Sequence, residues 1–335
     1  MTNTATQRCA HKIAIEAKEF LIPSDTPGIE LRIRNKRLAA TEPFGADRTL
    51  LLIHGATFPS ESLFDVPLGG VSFMDDLAKH GYDVYALDVR GYGGSTRPAE
   101  MDQPAGQNAP IVRTETAVRH LGSAVNYLLK NLNLATLNLL GMSWGGTVAG
   151  AYTSQNNDKI AKLILVAPQW LSATPAPIDK GGALGAYRVI PVPEMKERWL
   201  SAAPEHKRAD LLPEGWFDQW ASATIATDPR SDAQGTQTIR APSGAVQDIR
   251  EYWTAGKPFY DPGEITSPTL LVHAEWDIDA PLDLTLEFFK SLTGARFKQW
   301  VEIGEGTHMV LLEKNRGQAF SAIRSFLDEE NATAK

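Results

Sequence analysis

Six residues near the middle of the chain, Gly141-Met142-Ser143-Trp144-Gly145-Gly146, restrict its folding more than any other stretch. The apolar run Thr136-Leu137-Asn138-Leu139-Leu140 before them reads as a buried strand, and the small-residue run Thr147-Val148-Ala149-Gly150-Ala151-Tyr152 after them suits a helix. Strand, tight turn and helix in that order place Ser143 between glycines in a Gly-x-Ser-x-Gly pattern. Such a turn is sharp enough to strain the serine backbone, and its neighbours must lack side chains. The expected result is a hydroxyl that projects from the sheet edge, with the amide of Trp144 opening the helix beside it, where it can hold a developing oxyanion.

The flanking chain supports a wound α/β architecture. Thr49-Leu50-Leu51-Leu52-Ile53, Val84-Tyr85-Ala86-Leu87, Leu163-Ile164-Leu165-Val166 and Thr269-Leu270-Leu271-Val272-His273 are continuously apolar, as strands covered on both faces must be. Helical candidates lie between them at 71–80 and 114–132, the second with Val118, Leu121, Val125 and Leu128 at helical spacing. Residues 12–22 and 29–37 alternate instead, which predicts an antiparallel pair at a sheet edge. A helix at 282–292, a strand at 297–303 and a terminal helix at 314–327 complete the winding, and 329–335 reads as a frayed tail. The alternation stops between residues 172 and 265, too long a stretch for an unstructured loop. The expected organisation is therefore a core of residues 1–171 and 266–335, a mostly parallel sheet with helices on both faces, and a subdomain at 172–265 inserted after the sixth strand.

A serine hydroxyl is a poor nucleophile near neutral pH and needs a base, which in turn needs an orienting acid. His308 lies in Gly304-Glu305-Gly306-Thr307-His308-Met309, after the last predicted strand, and Asp277 lies in Glu275-Trp276-Asp277-Ile278-Asp279-Ala280-Pro281, after the strand ending at His273. Both loops fall at C-terminal strand ends, where open α/β sheets bind ligands. Loop register leaves Asp279 and Glu275 as alternatives to Asp277. With His54-Gly55-Ala56-Thr57 after the third strand and Asp88-Val89-Arg90-Gly91-Tyr92-Gly93-Gly94-Ser95 after the fourth, the chain resembles the α/β-hydrolase superfamily over about residues 29–327.

That resemblance implies Ser143 as nucleophile, His308 as general base, Asp277 as orienting carboxylate, and the amides of Ala56 and Trp144 as oxyanion hole. It implies a helical cap for the insertion, and neither metal nor cofactor. A serine at the elbow disfavours the superfamily's dehalogenases and epoxide hydrolases, which use aspartate there. The elbow reproduces in full neither the Gly-Gly-Ser-Trp-Gly of proline iminopeptidases, from which Met142 departs, nor the Asn-Ser-Met-Gly of carbon–carbon bond hydrolases, from which Met142 and Trp144 both depart. The expected activity is cleavage of a small-molecule ester or lactone. The alternatives are another acyl bond (amide, thioester or the carbon–carbon bond of a β-dicarbonyl) or a receptor that retains the hydrolase fold.

The remaining polar residues have structural readings. His54 is expected to brace the oxyanion turn, His273 to be a hydrogen-bonded core residue, and His11, His80, His120 and His206 to lie on the surface or a helix face. Asp88 and Arg90 are expected to hold their own loop. Thr57 either closes its turn, the preferred reading, or adds a third donor to the oxyanion. Residues 58–70, with Phe64 and Leu68, border the pocket or pack on the insertion. Of eight tryptophans, four lie in the insertion, while Trp144, Trp170 and Trp276 adjoin the catalytic loops, so an apolar or aromatic pocket is expected, with Thr57, Trp170 and Trp276 as substrate-binding candidates. A net charge of -7 without a basic block argues against a nucleic-acid partner. The polar start at residues 1–10, the absence of a membrane-length apolar run, and the lone Cys9 in a polar tail read as a cytoplasmic protein with no membrane partner. Oligomeric state has no signature in the sequence.

Overall fold

The computed structural model describes residues 14–39 and 43–330. Cys9, His11, the start of the first predicted strand and the end of the predicted tail lie outside the described residues.

Eight strands form one sheet: β1 (Ile15–Pro23), β2 (Glu30–Leu38), β3 (Thr49–Ile53), β4 (Asp83–Leu87), β5 (Leu137–Met142), β6 (Ile160–Val166), and, after the insertion, the two strands Thr269–Ala274 and Lys298–Ile303. The alternating pair β1 and β2 is antiparallel and occupies one edge, β2 meets β4 antiparallel, and every other pairing is parallel. Strand β3 lies between β4 and β5, so the turn after β3 and the elbow after β5 are neighbours on the C-terminal rim.

Period-two alternation divides the core. Leu50, Leu52, Leu140, Ile164 and Leu270 face one apolar cluster, and Leu51, Ile53, Leu139, Leu165 and Leu271 face the other. In chain order the first four helices are α1 (Ser60–Phe64), α2 (Phe73–Lys79), α3 (Thr114–Leu132) and α4 (Trp144–Gln155). α2 opens on a capping box in which the Ser72 hydroxyl accepts from the Asp75 amide and the Asp75 carboxylate accepts from the Ser72 amide, both at 3.0 Å. α3 ends where Asn133 turns left-handed at φ 54.

The insertion contains β7 (Tyr187–Pro191) and β8 (Thr238–Pro242), which pair antiparallel as a second small sheet, and the helices α5 (Met195–Ser201), α6 (Arg208–Leu211), α7 (Trp216–Ile225), α8 (Pro229–Gln234) and α9 (Gly244–Asp248). The helical cap that the resemblance implied thus also carries a two-stranded sheet. The main sheet then resumes with β9 (Thr269–Ala274), α10 (Leu282–Ser291), β10 (Lys298–Ile303) and α11 (Arg316–Asp328). Trp199, Phe217 and Trp220 of the insertion belong to the same cluster as Leu77 of α2 and Ile323 of α11. The indole of Trp220 donates to the Ser62 carbonyl at 3.0 Å.

Two histidines differ from their sequence readings. His120 is fully buried because it shares the inward stripe of α3 with Ala117, Leu121 and Ala124, and among the described residues neither ring nitrogen has a hydrogen-bond partner. Burial pushes its pKa down to about 4, so it stays neutral. His273 is buried as expected, but it too lacks a hydrogen bond among the described residues. Its Nδ1 lies 3.8 Å from Glu302, its cross-strand partner on β10, and its ring leans on Trp300.

Candidate active site

Ser143 sits between β5 and α4 with φ 57 and ψ -123, a conformation that L-residues adopt only under constraint. The constraint comes from both sides: the Ser143 amide donates to the Val166 carbonyl at 2.9 Å, and the Ser143 carbonyl accepts from Gly146 at 2.8 Å. Glycine is obligatory around it. A Cβ on Gly141 would lie 2.2 Å from the Gly145 carbonyl oxygen, and one on Gly145 would lie 2.4 Å from that of Ile53. Gly55 approaches less tightly from the other side, where a Cβ would meet that of Ser143 at 3.2 Å.

Of the three acids weighed for the orienting role, Asp277 is the one joined to His308. The imidazole Nδ1 is 2.9 Å from one carboxylate oxygen and 3.0 Å from the other. The Asp277 side chain is wholly buried and also accepts from the amides of Asp279 and Ala280, each at 2.8 Å. Burial opposes its ionisation, but the charge and hydrogen bond of His308 and these amides outweigh it and hold the pKa below the usual carboxylate range. Burial likewise opposes the His308 imidazolium, yet Asp277, aided by Asp279, lifts its pKa above the ordinary imidazole range. Asp279 instead pairs with Arg198 of α5 at 2.6 Å, and Glu275 accepts from the Glu305 amide at 2.8 Å. Donor atoms of Asp277, Asp279 and His308 come within 4.8 Å of one another, but each carboxylate is already engaged, and a cation there would compete with Arg198.

The His308 loop is held by a residue with no sequence signature. Glu313 is fully buried and accepts from the Thr307 amide at 2.8 Å, from the Thr307 hydroxyl, and from the Trp199 indole at 2.5 Å. Burial raises its pKa even though these bonds favour the anion.

His54 braces the turn after β3, the expected oxyanion turn. Its Nδ1 donates to the Gly55 carbonyl at 2.7 Å, and its Nε2 accepts from the Val89 amide at 3.0 Å, which sets a neutral tautomer that burial also favours. The Gly55 carbonyl and the Ala56 amide share one peptide unit, so His54 fixes the plane that carries that amide. The Ala56 carbonyl accepts from the Tyr92 hydroxyl at 2.9 Å and from Arg188 at 2.6 Å. Among the described residues, neither the Ala56 nor the Trp144 amide donates to a protein acceptor.

Ser143 and His308 line one cleft of about 50 Å³ together with Gly55, Ala56 and Thr57. Thr57, Phe58, Ile178 and Arg198 also wall a larger cavity of about 410 Å³, which extends toward β7 and α5. The Thr57 hydroxyl makes no hydrogen bond among the described residues, so the preferred turn-closing role is not observed. Trp170 and Trp276 are not brought to the cleft. Trp170 packs 5.0 Å from Phe288 and lines a different cavity, while the Trp276 amide donates to Gly306 at 2.9 Å below the His308 loop. Phe58 reaches the cleft and meets Trp220 edge-on at 5.0 Å, whereas Phe64 and Leu68 are core residues. Asp88 accepts from Gly94 in its own loop and also from Ser60 and Arg32. Arg90 does not share that work, since its buried Nε lacks a partner among the described residues.

The fold and this rim define a class. Residues 48–315 match the alpha/beta hydrolase fold family, and the chain belongs to that family. It is 25% identical over 280 residues to the AB hydrolase superfamily protein YisY of Bacillus subtilis, covering 82% of this chain and 90% of that one. A 2-hydroxy-6-oxononadienedioate/2-hydroxy-6-oxononatrienedioate hydrolase of Escherichia coli is 23% identical over 77% of this chain and 81% of its own length. Among solved structures, the fold is similar to a 2-hydroxy-6-oxo-6-phenylhexa-2,4-dienoate hydrolase from a Rhodococcus strain, with TM-score 0.61, 17% identity, and 93% and 99% of the two chains covered. It is also similar to a thermophilic esterase from Thermogutta terrifontis, with TM-score 0.57, 18% identity, and 92% and 98% covered. Among the described residues no helix is long and apolar enough to cross a membrane.

Proposed function

We propose that this hydrolase cleaves a carboxylic ester or lactone through an acyl-enzyme on Ser143. The observation that carries the reading is the strained Ser143 sharing a cleft with His308, whose far nitrogen is bound by a buried carboxylate. In this reaction Ser143 attacks the carbonyl carbon while His308 takes the hydroxyl proton. Asp277 holds the imidazole in orientation and stabilises the imidazolium that forms. The oxyanion rests on the Ala56 and Trp144 amides, which have no competing acceptor among the described residues. His308 then returns the proton to the leaving group and activates the water that clears the acyl group.

A second reading, hydrolysis of a carbon–carbon bond beside a ketone, draws on the relatives named for 2-hydroxy-6-oxo acids. The same triad serves either bond. A panel of p-nitrophenyl esters run beside diketones separates the two by relative kcat/KM. Ser143→Ala is expected to lower turnover by several orders of magnitude and to abolish labelling by a fluorophosphonate. Undiminished esterase activity in that variant would reject the assignment of Ser143.

A further inference from the structure

The larger cavity has a cation in its wall that no acid among the described residues neutralises. Arg188 projects from β7; one terminal nitrogen donates to the Ala56 carbonyl at 2.6 Å, and its buried Nε has no acceptor among the described residues. Nor does any carboxylate among those residues lie within ion-pair distance of it. Arg198, the other arginine lining this cavity, is matched with Asp279, as Arg240 is with Asp228 and Arg250 with Asp179 elsewhere in the insertion. Glu194, the one acid on the cavity wall, is exposed and forms no pair with Arg188. A half-buried guanidinium with an inaccessible Nε and no counter-charge is costly, and it cannot shed its proton to escape the cost. Burial does push its pKa down, Tyr92 opposing and Arg198 adding to the effect.

We infer that Arg188 binds a carboxylate of the ligand, so that the preferred substrates of the Ser143 site are acid-bearing and not neutral acyl compounds. This rests on the hydrolase reading above and names its substrate class. Arg188 touches the carbonyl of Ala56, the residue whose amide faces the proposed oxyanion, so the acid group lies a short spacer away from the scissile carbonyl. Phe58, Ile178, Leu184, Ile190 and Met195 supply apolar wall for that spacer. A planar carboxylate suits the planar fork of a guanidinium with an unused Nε–H. The tryptophans led to the expectation of an apolar or aromatic pocket; this cavity's lining adds the charged Lys180, Arg188, Glu194 and Arg198 to its apolar side chains.

The test compares p-nitrophenyl hemiglutarate with p-nitrophenyl isoheptanoate, which replaces the carboxylate by an isopropyl group, after subtraction of spontaneous hydrolysis. The wild-type ratio of kcat/KM, acid over neutral, is expected to exceed about tenfold, as a charge-assisted pair provides. In Arg188→Met the ratio falls to about one or below, and Arg188→Lys, which keeps the charge, retains part of it. Binding is read separately by calorimetry of monomethyl glutarate on the Ser143→Ala protein, with and without Arg188→Met. Equal ratios in wild type and Arg188→Met, with binding indifferent to the substitution, would overturn the proposal and leave the serine hydrolase intact. Arg188-dependent binding of the monoester in a protein that turns over no ester would sink the hydrolase reading and sustain the anion site.

Discussion

Gly145 has no room for a methyl group, because a Cβ there would lie 2.4 and 2.5 Å from the carbonyl oxygens of Ile53 and His54, backbone atoms that cannot swing aside. Gly145→Ala is therefore expected to lower stability by about 2–4 kcal/mol in urea titration. Gly317, in the first turn of α11 with open space around it, is the control, where alanine should stabilise by up to about 1 kcal/mol. The proposed base sets a second expectation. His308 must be neutral to take a proton, and its pKa is raised by Asp277 and Asp279 against the effect of burial. The active fraction is thus lost as pH falls through that raised value, and the acid limb of kcat/KM should lie above about pH 6.5. Asp277→Asn should cost about 10⁴ in kcat by disturbing the tautomer, as in the well-studied serine protease triad. A limb at or below the ordinary imidazole value would contradict the coupling of His308 to these acids.

At the scale of elements, α5 of the insertion reaches the loop after β9 through Arg198 and Asp279, which act on His308 with opposite sign. Asp279→Asn removes an anion that favours the imidazolium and should move the acid limb to lower pH. Arg198→Met removes a cation that disfavours it and should move the limb higher. Shifts of the same sign would mean that the variants act by displacing the loop and not by charge. How much of this was legible follows from local physics. The parallel strands could be read because burial on both faces demands unbroken apolar runs, and the elbow because only glycine fits at 141 and 145. β7 and β8 escaped because prolines and Arg188 and Arg240 interrupt any apolar alternation in so short a ribbon. His120 was misplaced although its stripe was in view, since a histidine at an apolar position reads as polar. Arg188, Arg198 and Glu313 act through contacts between segments far apart in sequence, and no spacing rule announces such contacts.

Across the whole molecule, one apolar cluster runs from Leu50 and Leu140 on the sheet through α2 and α11 into Trp199, Phe217 and Trp220 of the insertion. An insertion with its own closed core would melt by itself; one that shares a core with the sheet should not. Trp220 is the place to test this, being fully buried, in contact with Phe58, Trp199 and Phe217, and bonded to Ser62. Trp220→Ala empties the seam and leaves the Ser62 carbonyl without its donor, at an expected cost of about 3–5 kcal/mol. Because the seam belongs to both parts, guanidinium unfolding of the variant should remain one transition shifted to lower denaturant, with far-UV circular dichroism and tryptophan fluorescence superimposable. Had the insertion folded as a separate unit, the same variant would split the curve. The fluorescence of the tryptophans in the insertion would then change first, while the dichroism of the sheet and its helices held at the wild-type midpoint. That second outcome would place the cooperative boundary at the insertion's hinges, with the ion pair of Arg198 and Asp279 and the hydrogen bond of Trp199 to Glu313 left to hold the insertion over the cleft.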